Sequence, residues 1–158
     1  MKAIYPGTFD PITLGHIDII SKAYKIFGNV TIAIAEDNNK SCIFASNKRQ
    51  EFIKIAMQEC DLQVEVVIFK GLLVNFMQEQ EAHIIIRGLR AISDFEYEFQ
   101  MSCINTRLNK NIQTVFLPAK DDMHFVSSKI IRSVAELHGD ISAFVPQCVV
   151  RALKEYYQ

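Results

Sequence analysis

Short apolar runs recur along the chain and are separated by longer segments in which polar and apolar positions are mixed. The runs are rich in Ile, Val and Phe, and most of them lack the in/out alternation that a half-exposed strand shows. Strands that are buried on both faces have this pattern. The sequence therefore predicts five buried strands, over residues 3–5, 30–35, 64–69, 84–86 and 114–117.

The segments between these runs have helical periodicity. Gly28 and Gly139 follow two of them and are typical helix stops, and Asp94 is predicted to be the N-cap of the fourth helix. Pro146 opens the last helix. The predicted helices cover residues 16–27, 47–59, 72–81, 95–108, 128–138 and 146–157.

Strand and helix thus alternate from end to end, with no internal repeat and no linker-like stretch. Right-handed crossovers then require a parallel sheet that is covered by helices on both faces. The predicted fold is a doubly wound α/β domain with a five-stranded parallel sheet, similar to the Rossmann fold. A chain of 158 residues with 49% hydrophobic content suits one core, so we expect residues 1–158 to form a single domain.

In sheets of this kind, ligands bind in the crevice beyond the carboxyl ends of the strands. Hydroxyl and cationic side chains follow nearly every predicted strand, in segments 8–16, 70–73, 87–90 and 120–129 and at position 40. The formal net charge of the chain is −1, so this positive charge is local. The sequence predicts a site for a small polyanion at this edge of the sheet.

Composition argues against two kinds of binding partner, nucleic acids and membranes. The chain lacks the basic excess that drives binding to nucleic acid, no apolar stretch has the length of a membrane span, and the start does not resemble a targeting segment. We therefore expect a soluble, cytoplasmic protein that binds neither nucleic acid nor membranes. The chain has four cysteines, Cys42, Cys60, Cys103 and Cys148. Their spacing is not that of metal ligands, which favours reduced thiols and predicts that no metal is held by side chains.

The segment after the first strand reads GTFDPITLGH, over residues 7–16, and contains neither a GxGxxG motif nor a lysine-bearing P-loop. Gly7 is able to take an unusual backbone conformation, Thr8 offers a hydroxyl and an amide, and Gly15 lets a phosphate approach the helix start. His16 is placed to donate a hydrogen bond to a phosphate oxygen there. The alternative for His16 is a surface histidine that caps the helix.

Arg87, Arg90 and Lys40 are further candidates for phosphate binding, and Glu98 is a candidate partner for an arginine or a nucleotide. Arg87 and Arg90 bracket Gly88 after the fourth strand and are placed to approach one ligand from two sides; the alternative is a pair of solvated arginines. Lys40 follows the second strand and is otherwise an ordinary loop lysine. Glu98 lies on the next helix, where it would orient an arginine, accept a hydrogen bond from a nucleotide, or be simply solvated.

Ser127 and Ser128 lie just before a predicted helix. Serine in this position commonly caps the helix, and a helix N-terminus that carries hydroxyls also suits phosphate groups. The two roles are compatible.

Two motifs connect these residues with a known superfamily. TLGH at residues 13–16 resembles the TxGH signature of the nucleotidylyltransferases, and VSSKIIR at residues 126–132 resembles their ISSTxxR signature. The longer segments YPGTFDPITLGHIDII and IIIRGLRAISDFEYEFQ resemble the phosphopantetheine adenylyltransferases, and this resemblance covers nearly the whole chain.

The resemblance implies transfer of the adenylyl group of ATP to 4′-phosphopantetheine, with Mg²⁺ accompanying ATP, a homohexamer, and feedback by coenzyme A. It implies that His16, Lys40 and Arg90 are catalytic. It places the second substrate against Thr8, Lys40, Leu73 and Arg87. It places ATP against Thr8, Phe9, His16, Gly88, Leu89, Arg90, Glu98, Met123, His124, Phe125, Val126, Ser127, Ser128 and Lys129. Many members have a third Ser or Thr where this chain has Lys129, which leaves the contribution of that position open.

Two other functions remain as alternatives. One is a transferase of the same superfamily that acts on nicotinate mononucleotide or uses a cytidylyl donor. The other is a nonenzymatic nucleotide sensor, because a fold alone does not fix function.

Overall fold

Strands and helices alternate along the chain in the computed structural model, which describes residues 2–36, 42–90 and 92–158, with the backbone alone for residues 92–93. The strands are β1 (Lys2–Gly7), β2 (Asn29–Ala35), β3 (Glu65–Phe69), β4 (Ile84–Leu89) and β5 (Gln113–Pro118). The helices are α1 (Leu14–Phe27), α2 (Ser46–Glu59), α3 (Leu73–Glu79), α4 (Ile92–Leu108), α5 (Ser128–Glu136) and α6 (Gln147–Tyr156), and a short 3₁₀ turn covers Asp121–Met123.

All paired strands are parallel, in the order β3-β2-β1-β4-β5. From β1 the chain builds outward through β2 to β3, then returns to add β4 on the other side of β1 and β5 beyond it. The direction of winding therefore reverses between β1 and β4, which are joined by pairs such as Ile4 with Ile85. A crevice opens at such a reversal, beyond the carboxyl ends of the two strands. The predicted doubly wound α/β fold is confirmed.

The central strand β1 is buried on both faces, which explains why its sequence shows no alternation. Ala3 and Tyr5 pack in the larger hydrophobic cluster, together with apolar residues of α1, α2, α5 and α6. Ile4 points the other way, into a second cluster that contains Phe76 and Met77 of α3. Tyr5 consequently lies on the same face of the sheet as α1.

All five strands and all six helices occur where the sequence predicts them, with ends that differ by a few residues. One predicted cap is wrong. Helix α4 begins at Ile92, so Asp94 lies in its first turn instead of at the N-cap. Its carboxylate accepts a hydrogen bond from Arg90 Nε at 3.1 Å, so within the described residues the side chain is paired with an arginine and not with a backbone N–H. A carboxylate in the first turn is also favoured by the helix dipole, which explains why Asp is accommodated there.

Candidate active site

A cavity of about 410 Å³ opens at the carboxyl ends of β1 and β4. It is lined by parts of the first motif, of the segment after β4, and of the segment that leads into α5. The predicted site residues that line it are Thr8, Phe9, His16, Arg87, Gly88, Arg90, Glu98, Val126, Ser127, Ser128 and Lys129. The structure thus brings together residues that are far apart in the sequence.

The loop after β1 is shaped by the contact between Gly7 and Phe9. A Cβ atom at Gly7 would lie 2.9 Å from the Phe9 ring, so only glycine admits the ring there. The positive φ of this loop, 49°, belongs to Phe9. The prediction that Gly7 uses an unusual backbone conformation is therefore wrong, and its role is to leave space for a buried ring.

His16 caps the helix that carries it. In α1, the Thr13 N–H donates to His16 Nδ1 at 3.0 Å, and Thr13 Oγ1 accepts the His16 N–H at 3.3 Å, a reciprocal capping box. Because Nδ1 accepts a hydrogen bond from the Thr13 N–H, the ring proton of a neutral His16 resides on Nε2. The ring is half-buried in the cavity wall and packs edge-on against Phe9, with centroids 5.1 Å apart. Both predicted roles, cap and donor, are therefore compatible in one side chain.

Burial, with a smaller contribution from the positive charge of Arg90, lowers the pKa of His16 from 6.5 to about 4. The imidazole is therefore neutral at pH 7 in the unliganded site. A neutral ring of this tautomer offers one N–H donor and no positive charge of its own.

Arg87 is held from two sides. Its Nε and Nη2 donate to the two carboxylate oxygens of Glu98 at 2.6 and 3.0 Å, and its Nη1 donates to the Pro6 carbonyl at 2.9 Å. The role of Glu98 that the geometry supports is to orient an arginine. A bidentate contact fixes the plane of the guanidinium group as well as its position.

Arg90 links the segment after β4 with the segment before α5. Its Nε donates to Asp94, and its Nη1 donates to the Val126 carbonyl at 3.2 Å. Arg87 and Arg90 each have protein partners and line the cavity, and their side chains are 28% and 38% exposed, so both are only partly solvated.

The two serines before α5 have separate partners. Ser127 is the N-cap, and its hydroxyl accepts the Ile130 N–H at 3.2 Å. The Ser128 hydroxyl donates to the Pro11 carbonyl at 2.8 Å and so ties α5 to the first motif. Lys129 follows at the cavity wall.

Several predicted site residues are not part of the cavity lining. Met123 packs against the larger cluster, His124 Nδ1 is hydrogen-bonded to the Arg90 carbonyl, and the Phe125 ring, 59% exposed, packs against a neighbouring phenylalanine. Leu89 ends β4, and Leu73 begins α3, where it packs against the second cluster. Lys40 lies outside the described residues.

Two buried charged residues brace the site, and sequence reasoning did not single them out. The Asp10 carboxylate, in a residue that is 2% exposed, accepts the N–H groups of Ile43 and Phe44 at 2.9 and 3.0 Å and lies 3.3 Å from Arg132 Nη1. The signal for this pair was available, since Asp10 lies in the first motif and Arg132 ends the second.

Arg49 is the second buried charge, also 2% exposed. It donates to the carbonyl oxygens of Thr8, Ala35 and Phe44, and so connects the ends of β1 and β2 with the loop before α2. In the sequence it stands in the polar stretch SNKRQE, where nothing distinguishes it from a solvated helix residue.

The family of the chain follows from comparisons with known proteins. Residues 4–134 match the family model described as cytidylyltransferase-like. Phosphopantetheine adenylyltransferase of Wolbachia pipientis subsp. Culex pipiens (strain wPip) is 48% identical over 146 residues, 92% of this chain and 87% of that protein. The enzymes of the same name from Legionella pneumophila (strain Lens) and Thermotoga neapolitana are 47% and 43% identical, each over 98% of this chain and over 90% and 96% of their own lengths.

Among solved structures, the lipopolysaccharide core biosynthesis protein from Thermoplasma volcanium GSS1 superposes with a TM-score of 0.58. It is 20% identical and covers 77% of this chain and 98% of its own, so the likeness concerns the fold alone. The sequence relatives and the family model go further, because they match most of the chain. This chain belongs to the cytidylyltransferase-like family and, within it, to the phosphopantetheine adenylyltransferases.

Proposed function

We propose that this chain transfers the adenylyl group of ATP to the phosphate of 4′-phosphopantetheine, giving dephospho-coenzyme A and pyrophosphate. The observation that carries the proposal is the placement of His16, Arg87 and Arg90 around one cavity at the carboxyl ends of β1 and β4. The names of the relatives that match nearly the whole chain support the choice of acceptor.

The chemistry needs no covalent intermediate. The acceptor phosphate is anionic at neutral pH, so one of its oxygens attacks the α-phosphorus of ATP without a general base. The new O–P bond forms in line with the bond to the bridging oxygen that breaks, and pyrophosphate leaves with that electron pair. The protein then acts by positioning the two phosphates and stabilising the charge that develops between them.

His16 is the proposed donor to the α-phosphate. Its Nδ1 is occupied by the Thr13 N–H, so the remaining ring proton, on Nε2, is the one available to the ligand. The capping contacts fix the ring relative to α1, which limits the reorganisation needed as charge grows on the phosphate oxygens.

The two arginines are the proposed phosphate clamps. Guanidinium carries five N–H donors. Arg87 uses three of them on Glu98 and Pro6, and Arg90 uses two on Asp94 and Val126. Each therefore keeps donors for a ligand while its orientation is fixed, Arg87 for the acceptor phosphate and Arg90 for the triphosphate.

Three residues are proposed to complete the acceptor site. The exposed Thr8 at the cavity would orient the attacking phosphate, and Lys40 would neutralise its charge. Leu73 lies at the start of α3, outside the cavity lining, so a contact with it requires the flexible pantetheine arm to extend from the cavity beyond the end of β3. The remaining predicted ATP residues are proposed to surround the nucleotide from the loop after β1, the end of β4, and the segment that leads into α5.

Mg²⁺ is proposed to enter with ATP. Within residues 2–36, 42–90 and 92–158, no three or more His, Cys, Asp or Glu side chains are grouped closely enough to hold a metal ion. We therefore assign the coordination of Mg²⁺ to phosphate oxygens and water, which is its usual environment with nucleotides. The ion would neutralise part of the triphosphate charge.

A homohexamer and feedback by coenzyme A are also part of this proposal. Helix α4 exposes large apolar side chains on two sides, Tyr97, Ile104 and Leu108 on one and Phe95 and Phe99 on the other. Their exposure supports burial of this helix in an assembly. Coenzyme A shares its pantetheine arm and adenylyl group with the product, so competition for the same cavity is the simplest form of feedback.

We propose a cytoplasmic location, where ATP is available. Among the helices in the described part of the chain, none has both the length and the apolar character that crossing a membrane requires.

The test is pyrophosphate release from ATP and Mg²⁺ with 4′-phosphopantetheine, run beside dephosphorylated pantetheine and nicotinate mononucleotide. Release with 4′-phosphopantetheine alone is the expected result. Release with nicotinate mononucleotide would show that the chain is a nucleotidylyltransferase with a different acceptor. ATP binding without release under any condition would favour a nucleotide sensor.

A further inference from the structure

Tyr5 presents its hydroxyl group to the active-site cavity. The residue is only 5% exposed, and it lines the cavity from β1. Within the described part of the chain, no residue is hydrogen-bonded to this hydroxyl. Although the residue as a whole is buried, its Oη atom is not among the fully buried atoms without a partner, so the hydroxyl reaches the cavity. A tyrosine hydroxyl normally has a hydrogen-bond partner, and here water or a group bound in the cavity provides it.

The hydroxyl lies beside Gly88. A Cβ atom built on Gly88 would lie 3.5 Å from Tyr5 Oη and 3.0 Å from the Ile19 side chain, so the hydroxyl and Ile19 both face the backbone of β4 at this glycine. Arg87 and Arg90, on either side of this glycine along the chain, are both close enough to interact electrostatically with the Tyr5 hydroxyl. The hydroxyl therefore lies within the same cationic environment as the proposed phosphate clamps.

The ring that carries this hydroxyl is held in place. Its edge packs against Phe9 with ring centroids 5.4 Å apart and an interplanar angle of 80°, and Phe9 packs in turn against His16. A preorganised donor of this kind loses little conformational entropy when it contacts a ligand.

Burial raises the pKa of Tyr5, an effect that the nearby arginines only partly offset. At neutral pH the group is therefore a phenol and not a phenolate. It has a proton to donate, which suits an anionic oxygen and excludes a role as a base.

We propose that the Tyr5 hydroxyl donates a hydrogen bond to a phosphate oxygen of a ligand bound beside Gly88, an inference that rests on the proposed function. The two ligands that supply such an oxygen are the acceptor phosphate and the triphosphate of ATP. Tyr5 would thus be a further donor beside His16, Arg87 and Arg90. It is neutral, and it is held in place without a carboxylate partner.

The test is Tyr5→Phe, which removes the hydroxyl alone, beside Tyr24→Phe on the far part of α1 as a matched control. We expect kcat/KM to fall by about tenfold to a hundredfold in Tyr5→Phe, the usual effect of losing one hydrogen bond to a charged group, and to stay unchanged in Tyr24→Phe. Calorimetric titrations with a nonhydrolysable ATP analogue, 4′-phosphopantetheine and dephosphorylated pantetheine identify which phosphate receives the bond. Weaker binding of only one phosphorylated ligand assigns it.

Thermal unfolding separates this role from a structural one. A hydroxyl without a protein partner contributes little to folding, so unliganded Tyr5→Phe should melt within about a degree of the wild type while its stabilisation by the affected ligand is smaller. Unchanged kcat/KM and unchanged ligand binding in Tyr5→Phe would overturn the proposal, as would a large loss of stability without any ligand-specific effect. Absence of transfer by the wild type would contradict the proposed function instead, and the titrations would still decide whether the hydroxyl contacts phosphate.

Discussion

Asp10 and Arg132 join the two sequence motifs of the site. Arg132 Nη1 donates to the backbone carbonyl of Asp10 and lies 3.3 Å from its carboxylate. The carboxylate also receives two backbone N–H groups from the loop before α2. The loop after β1, the loop before α2 and helix α5 therefore meet at one buried charge in the wall of the cavity.

Replacing Arg132 should lower stability, because it leaves the Asp10 carboxylate buried without its counter-charge. Arg132 is partly exposed, so we expect Arg132→Met to reduce the free energy of unfolding by about 1–3 kcal/mol, and Arg132→Lys by less. Denaturant unfolding measures this, with Arg151→Met on the exposed face of α6 as control. Equal effects of Arg132→Met and Arg151→Met would refute the role given to the pair.

Loss of the His16 donor should affect turnover more than nucleotide binding. Removing one donor to a developing negative charge typically costs a hundredfold to a thousandfold in kcat, about 3–4 kcal/mol. We therefore expect such a loss of kcat in His16→Ala, with a much smaller change in the affinity for ATP. Steady-state kinetics and calorimetry test this, with the exposed His83→Ala as control. Equal turnover of His16→Ala and the wild type would remove His16 from the mechanism.

The lowered pKa of His16 makes stability depend on pH. In the unfolded chain the imidazole takes up a proton below pH 6.5, whereas in the folded protein it stays neutral down to about pH 4. The stabilisation that depends on neutral His16 is therefore complete above pH 6.5 and is lost as the pH falls towards 4, by up to about 3 kcal/mol.

Unfolding of the wild type and of His16→Gln between pH 4 and pH 7 measures this contribution. The difference in unfolding free energy between the two proteins should shrink or reverse as the pH falls through this range, since glutamine does not titrate. A difference that is constant with pH would show that burial does not lower the pKa of His16.

Removing the partner of Arg87 should weaken acceptor binding selectively. In Glu98→Ala the Arg87 guanidinium loses its bidentate contact and keeps only the Pro6 carbonyl as a partner, so its plane is no longer fixed and we expect KM for 4′-phosphopantetheine to rise by about tenfold. KM for ATP should change little. Glu96→Ala is the control, because Glu96 lies two positions earlier on α4 and is exposed. A rise confined to KM for ATP would instead indicate that Glu98 contacts the nucleotide.

Helix capping shows what local sequence predicts well. Thr13, His16 and Ser127 form their caps with residues three positions away, and such contacts depend only on the local backbone. Asp94 shows that even a short-range prediction of a cap fails in some places. Its carboxylate pairs with Arg90, whose position depends on how the segment after β4 leaves the sheet.

Nearby residues were enough to predict the alternation of strands and helices, the burial of the strands on both faces and the two motifs. Each of these features depends on a short stretch of the chain. Other features became visible only in the folded chain: Arg49 is buried, Gly7 makes room for the Phe9 ring, Asp10 pairs with Arg132, and some predicted residues line the cavity while others do not. Most of these contacts join distant parts of the chain, since Arg49 reaches the ends of β1 and β2, and Arg132 reaches Asp10 from α5. The energies of these contacts depend on tertiary packing, which a local pattern of polar and apolar positions does not contain.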